Sequence, residues 1–369
     1  IGDAAAEAVA NAEMALENSD AMPQRRAAAL AGMAPASFGM VMATAIVAIT
    51  AQLSGLPRLA RALFGLSVAM YVVLWLLTLL RLLRHRQRFI GDLFDHLRGP
   101  GFFTTVAATS LLGSQFLLLA ADDRAGLVLW ALALALWVAL TYTIFTGLTI
   151  KPVKPALAEG INGGWLLAVV ATQSIAVLSA LLATHVGQPG RLELNFLALS
   201  MWLWGGMLYI WMMSLIFYRY TFFTLEPGDL SPPYWINMGA MAISTLAGSL
   251  LILNSGDAPF LHSLLPFLKG FTVFYWATGT WWIPMLLLLG VWRHVVRRFP
   301  LRYDPLYWGA VFPLGMYAAS THQMIDALEL EFLHFLPPVF LAVALAAWAA
   351  AFVGLAADLL ARARAWRRS

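Results

Sequence analysis

The sequence predicts an all-α polytopic membrane protein, and three observations predict it. Of 369 residues, 61% are hydrophobic and 11% are charged, whereas a soluble domain carries about 25% charged residues. Mean hydropathy is +0.76. The charges are also segregated, leaving stretches of roughly 20 apolar residues, each able to cross about 30 Å of hydrocarbon. Backbone groups in lipid must bond within the chain, and no stretch shows the polar-apolar alternation of a barrel strand, so the spans are helices.

In chain order the spans fall at 33–54, 62–83, 101–121, 125–148, 164–184, 195–218, 233–254, 270–292, 306–326 and 335–359. Residues 1–30 read as a cytoplasmic tail, acidic at Asp3, Glu7, Glu13, Glu17 and Asp20, then basic at Arg25 and Arg26. Residues 31–360 form one ten-helix domain, and 361–369 a basic C-terminal tail. The loops are too short for a soluble domain, and no cleavable signal peptide is expected before the first span. Cysteine is absent, which excludes disulfides, thiolate metal sites and a cysteine nucleophile.

The basic residues set the orientation. With an even span count and the N-terminus inside, Arg58, Arg61, Arg124, Arg191 and Lys269 fall outside, and the other eighteen of the 23 basic residues fall inside. A bias this strong predicts a plasma (inner) membrane protein with both termini in the cytoplasm. The net charge of +4 is then an orientation signal, and no nucleic-acid partner is expected. The arginine-rich inner loops would concentrate anions at the inner mouth.

The odd spans resemble one another. They read PASFGMVMATA, GPGFFTTVAATS, NGGWLLAVVATQS, PPYWINMGAMAIS and LYWGAVFPLGMYAAS, each opening on Pro, Gly or an aromatic and continuing with small or hydroxylated residues. The even spans are greasier, as in LVLWALALALWVALTY. Small residues let helices approach closely or line a space. Five such spans in alternation predict five helical hairpins in pseudo-fivefold order, with the odd helices around a central pore.

Pro313 lies in the middle of the ninth span, directly after Phe312. Proline removes one helical hydrogen bond, and in lipid the freed carbonyl must find a partner or face a cavity. Aligning the segments on Phe38, Phe103, Trp165, Trp235 and Trp308 places Met42, Ala107, Val169, Gly239 and Phe312 at one level. One ring among smaller side chains is either a plug on the axis or a packed aromatic. The candidate pore lining is Phe38, Gly39, Met42, Phe103, Ala107, Thr109, Val169, Thr172, Gly239 and Gly315, with Phe312 and Pro313 as the gate. The hydroxyls Thr44, Thr104, Thr105, Thr109, Ser110, Thr172, Ser244 and Thr245 offer weak hydrogen bonds to an anion. Each also has its own helix to bond, and roughly a third are expected to face the pore.

VFPLG, PASFGMVMATA, GPGFFTTVAATS and PPYWINMGA together resemble the tellurite-resistance/dicarboxylate transporter family, relatives of the plant guard-cell slow anion channels and the fungal malate and sulfite transporters. The likeness covers most of residues 31–360. It implies ten helices, a homotrimer with one pore per subunit, a phenylalanine in the ninth helix that falls on Phe312, and transport of small inorganic anions or dicarboxylates without a cofactor. The chain departs from the family at DHLRGPGFF, where a His-Pro pair is common, and at His322, Gln323 and Asp326.

His322 and Asp326 are four apart and share a helix face, so they form either a proton-linked pair or an interfacial polar cap. KPVKP, Lys151 to Pro155, either recruits anions or anchors a helix end. No Walker loop, dinucleotide turn, HExxH or GxSxG occurs, and no enzyme is expected. Two functions remain open: an anion channel or facilitator with a neutral pore, and a proton-linked carrier of C4-dicarboxylates or of sulfite- or tellurite-type oxyanions.

Overall fold

A computed structural model describes residues 28–301 and 303–368, with side chains to residue 364. Most of the N-terminal tail, with Arg25 and Arg26, and also Arg302 lie outside the described residues.

Ten long helices are numbered in chain order. The odd ones are α1 (Gly39–Leu53), α3 (Phe103–Gln115), α5 (Leu167–Ala183), α7 (Ile236–Leu253) and α9 (Trp308–Leu328). The even ones are α2 (Pro57–Arg84), α4 (Asp123–Ile150), α6 (Gly190–Phe222), α8 (Leu265–Val291) and α10 (Leu336–Arg368). The basic segment expected as a separate tail continues α10 as helix.

Every odd helix is introduced by a 3₁₀ turn: Pro35–Phe38, Gly99–Phe102, Gly163–Leu166, Pro232–Trp235 and Pro305–Tyr307. Proline opens four of them, where its fixed φ suits the first turn and its missing N–H costs nothing. The fifth is capped instead, the Asn162 side chain accepting from the Gly164 N–H at 2.8 Å. Glycine lets neighbouring turns meet: a Cβ at Gly163 would lie 2.5 Å from the Pro233 carbonyl oxygen.

The five turns touch in order around a closed loop, and so do the five odd helices, α1–α3–α5–α7–α9 and back to α1. Each even helix packs on the odd helix before it. Burial separates the two kinds. In the apolar windows of α1, α3, α5 and α7, 72–94% of positions are buried, against 17–50% in the even helices. The even helix α2 buries a single stripe, Ala60, Leu63, Ser67, Tyr71, Leu74, Thr78 and Arg81, whose spacing of three and four is one helix face. The rest of its surface is exposed and apolar, as a lipid-facing wall must be.

Tryptophan joins the layers. Trp130 and Trp137 on α4 donate to Ser179 and Thr172 on α5, at 2.9 and 2.8 Å. Trp202 on α6 donates to the Ser244 carbonyl on α7 at 2.8 Å, Trp276 on α8 to Thr321 on α9 at 3.0 Å, and Trp348 on α10 to Thr44 on α1 at 3.0 Å. An indole N–H in hydrocarbon needs a partner, and the hydroxylated odd helices supply it.

Nine helical stretches among the described residues are long and apolar enough to cross a membrane. The remaining long helix, α9, has 21 residues, about 31 Å at 1.5 Å per residue. It carries His322, Gln323 and Asp326, which lower its hydropathy, and its neighbours rather than lipid cover it.

Candidate functional site

Three cavities follow one another along the axis of the odd helices. The first, about 900 Å³, opens at their N-terminal ends and draws its wall from all five 3₁₀ turns or the loops leading into them, including Pro35, Ala36, Gly101, Asn162, Ser231, Pro305 and Leu306. The second, about 20 Å³, shares Ala36, Pro305 and Leu306 with the first. Gly39, Met42, Thr104, Leu167, Ile236, Gly309 and Phe312 also line it, so all five odd segments reach it. The third, about 50 Å³, lies toward the C-terminal ends, between Ile46, Ile49, Leu111, Ser114, Val177, Leu246, Ala319 and Gln323.

Phe312 therefore stands where the axial path narrows, 1% exposed, on the wall of the second cavity. The helix does not break beside it: α9 runs unbroken through Pro313. Pro313 has no N–H to give the carbonyl four residues earlier, that of Gly309, and Gly309 lines the same cavity. Pro313 itself turns to α7, where a Cβ at Gly239 would lie 2.7 Å from its ring. Gly315 faces α1: a Cβ there would lie 3.1 Å from the Ile46 side chain, and its carbonyl accepts from the Thr50 hydroxyl at 3.1 Å.

Of the expected lining, Gly39 and Met42 flank the second cavity with Phe312. Ala107, Val169 and Gly239 are buried in the helix ring. Four others point away from the axis, which corrects the expectation. Phe38 lies edge-on to Tyr71 and Trp75 of α2, and Phe103 lies against Phe145 of α4, at centroid distances of 5.4 to 6.1 Å. Thr109 bonds Tyr71 at 2.8 Å, and Thr172 accepts from Trp137. Aromatic and hydroxyl groups at these positions serve the contact between odd and even helices.

The hydroxyls are also more committed than expected. Thr44, Thr104, Thr105, Thr109, Thr172, Ser244 and Thr245 each donate to a carbonyl three or four residues back, at 2.7 to 2.9 Å. Of the eight, Thr104 alone lines one of the axial cavities, and Ser110 is buried without a partner among the described residues. The missed residues, Ile46, Ile49 and Leu53, continue the spacing of three and four that begins at Gly39 and Met42. That signal was present in the sequence.

Charge in the first cavity is a second correction. Its arginines, Arg98 and Arg219, are bonded to Asp92 at 2.7 and 2.9 Å and to Asp229 at 3.0 Å. The same wall carries Glu159, Glu226 and Asp304. Arg84, Arg86, Arg88, Arg297 and Arg298, expected at the inner mouth, are exposed and line none of it, and this wall has no surplus of positive charge among the described residues. At the other end of α9, His322 Nδ1 lies 3.4 Å from Asp326 Oδ2. That is within ion-pair reach, but the angles do not make a hydrogen bond. Gln323, between them, lines the third cavity.

The sequence model of the SLAC1 family, described as voltage-dependent anion channel, matches residues 32–356. The chain belongs to the SLAC1 family. An uncharacterized membrane protein of Mycobacterium tuberculosis is 40% identical over 154 residues, covering 42% of this chain and 78% of the relative. Two uncharacterized transporters of Methanocaldococcus jannaschii are each 26% identical over 312 residues, covering 81% and 82% of this chain and 86% of each relative. Membership in the SLAC1 family makes this an integral membrane protein of anion transport, as the resemblance implied.

Proposed function

We propose that each subunit passes small anions along the axis of its five odd helices, as a channel or facilitator, with Phe312 closing the path. One observation carries this: Phe312 lines the second cavity, to which all five odd segments contribute and which no charged side chain among the described residues lines. Conduction needs sites weak enough to leave, and the second and third cavities offer an ion only Thr104, Ser114 and Gln323 as polar side chains. All ten long helices cross the plasma membrane in this reading, with both termini cytoplasmic, so the large cavity is the inner mouth. The family resemblance supports a homotrimer.

The test is anion current in liposomes holding purified protein. Phe312→Ala should raise basal conductance about tenfold or more, the effect of removing a barrier of ~1.4 kcal/mol. Equal or lower conductance from folded protein would remove the gate.

A second reading is favoured by the His322–Asp326 contact beside Gln323: a proton-linked carrier of C4-dicarboxylates or sulfite-type oxyanions. A reversal potential that follows pH in wild type and not in His322→Ala or Asp326→Asn would establish it.

A further inference from the structure

The lining of the axial path keeps one spacing. On α1 it falls at Gly39, Met42, Ile46, Ile49 and Leu53, steps of three and four that hold one helix face. The same steps recur on α9 at Gly309, Phe312, Met316, Ala319 and Gln323, and on α7 at Ile236, Gly239, Ile243, Leu246 and Leu250. Thr104 and Leu167 start them on α3 and α5. In every odd helix the first member lines the second cavity, and the last two line the third. The five faces therefore stack as levels along the axis.

The middle level lies between the two cavities. Met316 and Ile243 belong to it; both are fully buried, and neither lines either cavity. Met316 is four residues past Phe312, about 6 Å along the helix. Its direction follows from its neighbours: Pro313 meets α7, Gly315 meets α1, and Tyr317 turns outward to Thr280 of α8 at 2.8 Å. The side of α9 left over carries Met316 and faces the axis. Ile243 is placed in the same way, with Gly239 against α9 and the Ser244 carbonyl held by Trp202 of α6. Ser174 stands at this level on α5, and its hydroxyl already donates to the Ala171 carbonyl at 2.7 Å. Ile46 and Leu111 complete the level and border the third cavity. A path cleared of the Phe312 ring thus still meets packed hydrocarbon one turn on. An apolar constriction of this kind sheds water and stops ions.

We propose that Met316, with Ile243, forms a second closure in series with Phe312, so that anions pass only when both levels open. This rests on the axial path and gate proposed above. Methionine suits the part, because its unbranched chain with three rotatable bonds can leave the axis without moving the backbone.

Barriers in series add as resistances, which sets the pattern expected of anion current in liposomes holding the purified full chain. Met316→Gln keeps the side-chain length and admits water. With Phe312 in place it should leave conductance within about twofold of wild type, whereas Phe312→Ala/Met316→Gln should conduct about tenfold more than Phe312→Ala. Met324→Gln, equally buried on α9 but off the axial spacing, should add nothing to Phe312→Ala. Ile243→Thr in the Phe312→Ala background gives the same reading if the glutamine variant fails to fold. A double variant that conducts no more than Phe312→Ala overturns the proposal. So does an equal rise from Met324→Gln, which would make the effect a loosening of the helix. Failure of the Phe312 gate alone looks different: Phe312→Ala then matches wild type while Met316→Gln by itself opens the path, and the closure at Met316 stands.

Discussion

Gly239 and Pro313 show how little room the helix ring leaves at the level of Phe312. A Cβ at position 239 would come 2.7 Å from the proline ring, so Gly239→Val must push α7 and α9 apart. Overpacking of this kind costs about 1–3 kcal/mol, and a lowered melting temperature in detergent would register it. His96, in the loop before α3, makes a prediction about pH. Burial, and then the charge of Lys151, hold its imidazolium below the ordinary 6.5. The neutral form is favoured by folding, so its contribution to stability is complete above pH 6.5 and is lost as pH falls below it. Lys151→Gln should raise the titration point of His96, and histidine NMR of labelled protein would show a shift in that direction. Aligning the odd spans put Met42 and Phe312 at one level, and both line the second cavity. The direction of each hydroxyl was not legible in the sequence: Thr109 or Thr172 chooses between pore, partner and its own helix by a rotation about one bond, which no spacing encodes.

Whole helices were easier to read than their side chains. Length and greasiness mark nine of the ten long helices as spans, because the hydrocarbon thickness fixes both; α9, with His322, Gln323 and Asp326, is read from its place between the others. The Pro, Gly and aromatic openings of the odd spans marked their starts, but reading those openings as 3₁₀ turns required the contacts among them. The even spans are the greasier ones in sequence, yet five of their indoles donate to odd helices and a sixth, Trp282, to Tyr209 of α6. Gln115 is the polar counterpart within the inner layer. Fully buried on α3, it accepts from Ser67 of α2 at 3.0 Å and donates to the Ala45 carbonyl of α1 at 3.4 Å. Gln115→Leu keeps most of its volume and loses both bonds. Interhelical hydrogen bonds in membranes average about 0.6 kcal/mol, so the variant should lose about 1 kcal/mol of stability, measured by unfolding in mixed micelles. A loss no larger than that of an exposed-surface control would mean that Gln115 only fills space.

Across the molecule, the arithmetic of basic residues gives an orientation that labelling can check. The chain has no cysteine, so any introduced one is alone. Arg88→Cys should react with an impermeant maleimide only after the cells are opened, and Glu331→Cys in intact cells; the reverse pattern would invert the topology. The ring also closes late. Thr50 bonds Gly315 across 265 residues, and Thr44 accepts from Trp348 across 304. A nascent chain emerging from the ribosome therefore carries α1 with one flank uncovered until its last hairpin arrives, since distant contacts must wait for the chain between them. Synthesis halted after α8 would leave a gapped palisade whose open side shows hydroxyls to fatty tails, a ready substrate for membrane quality control.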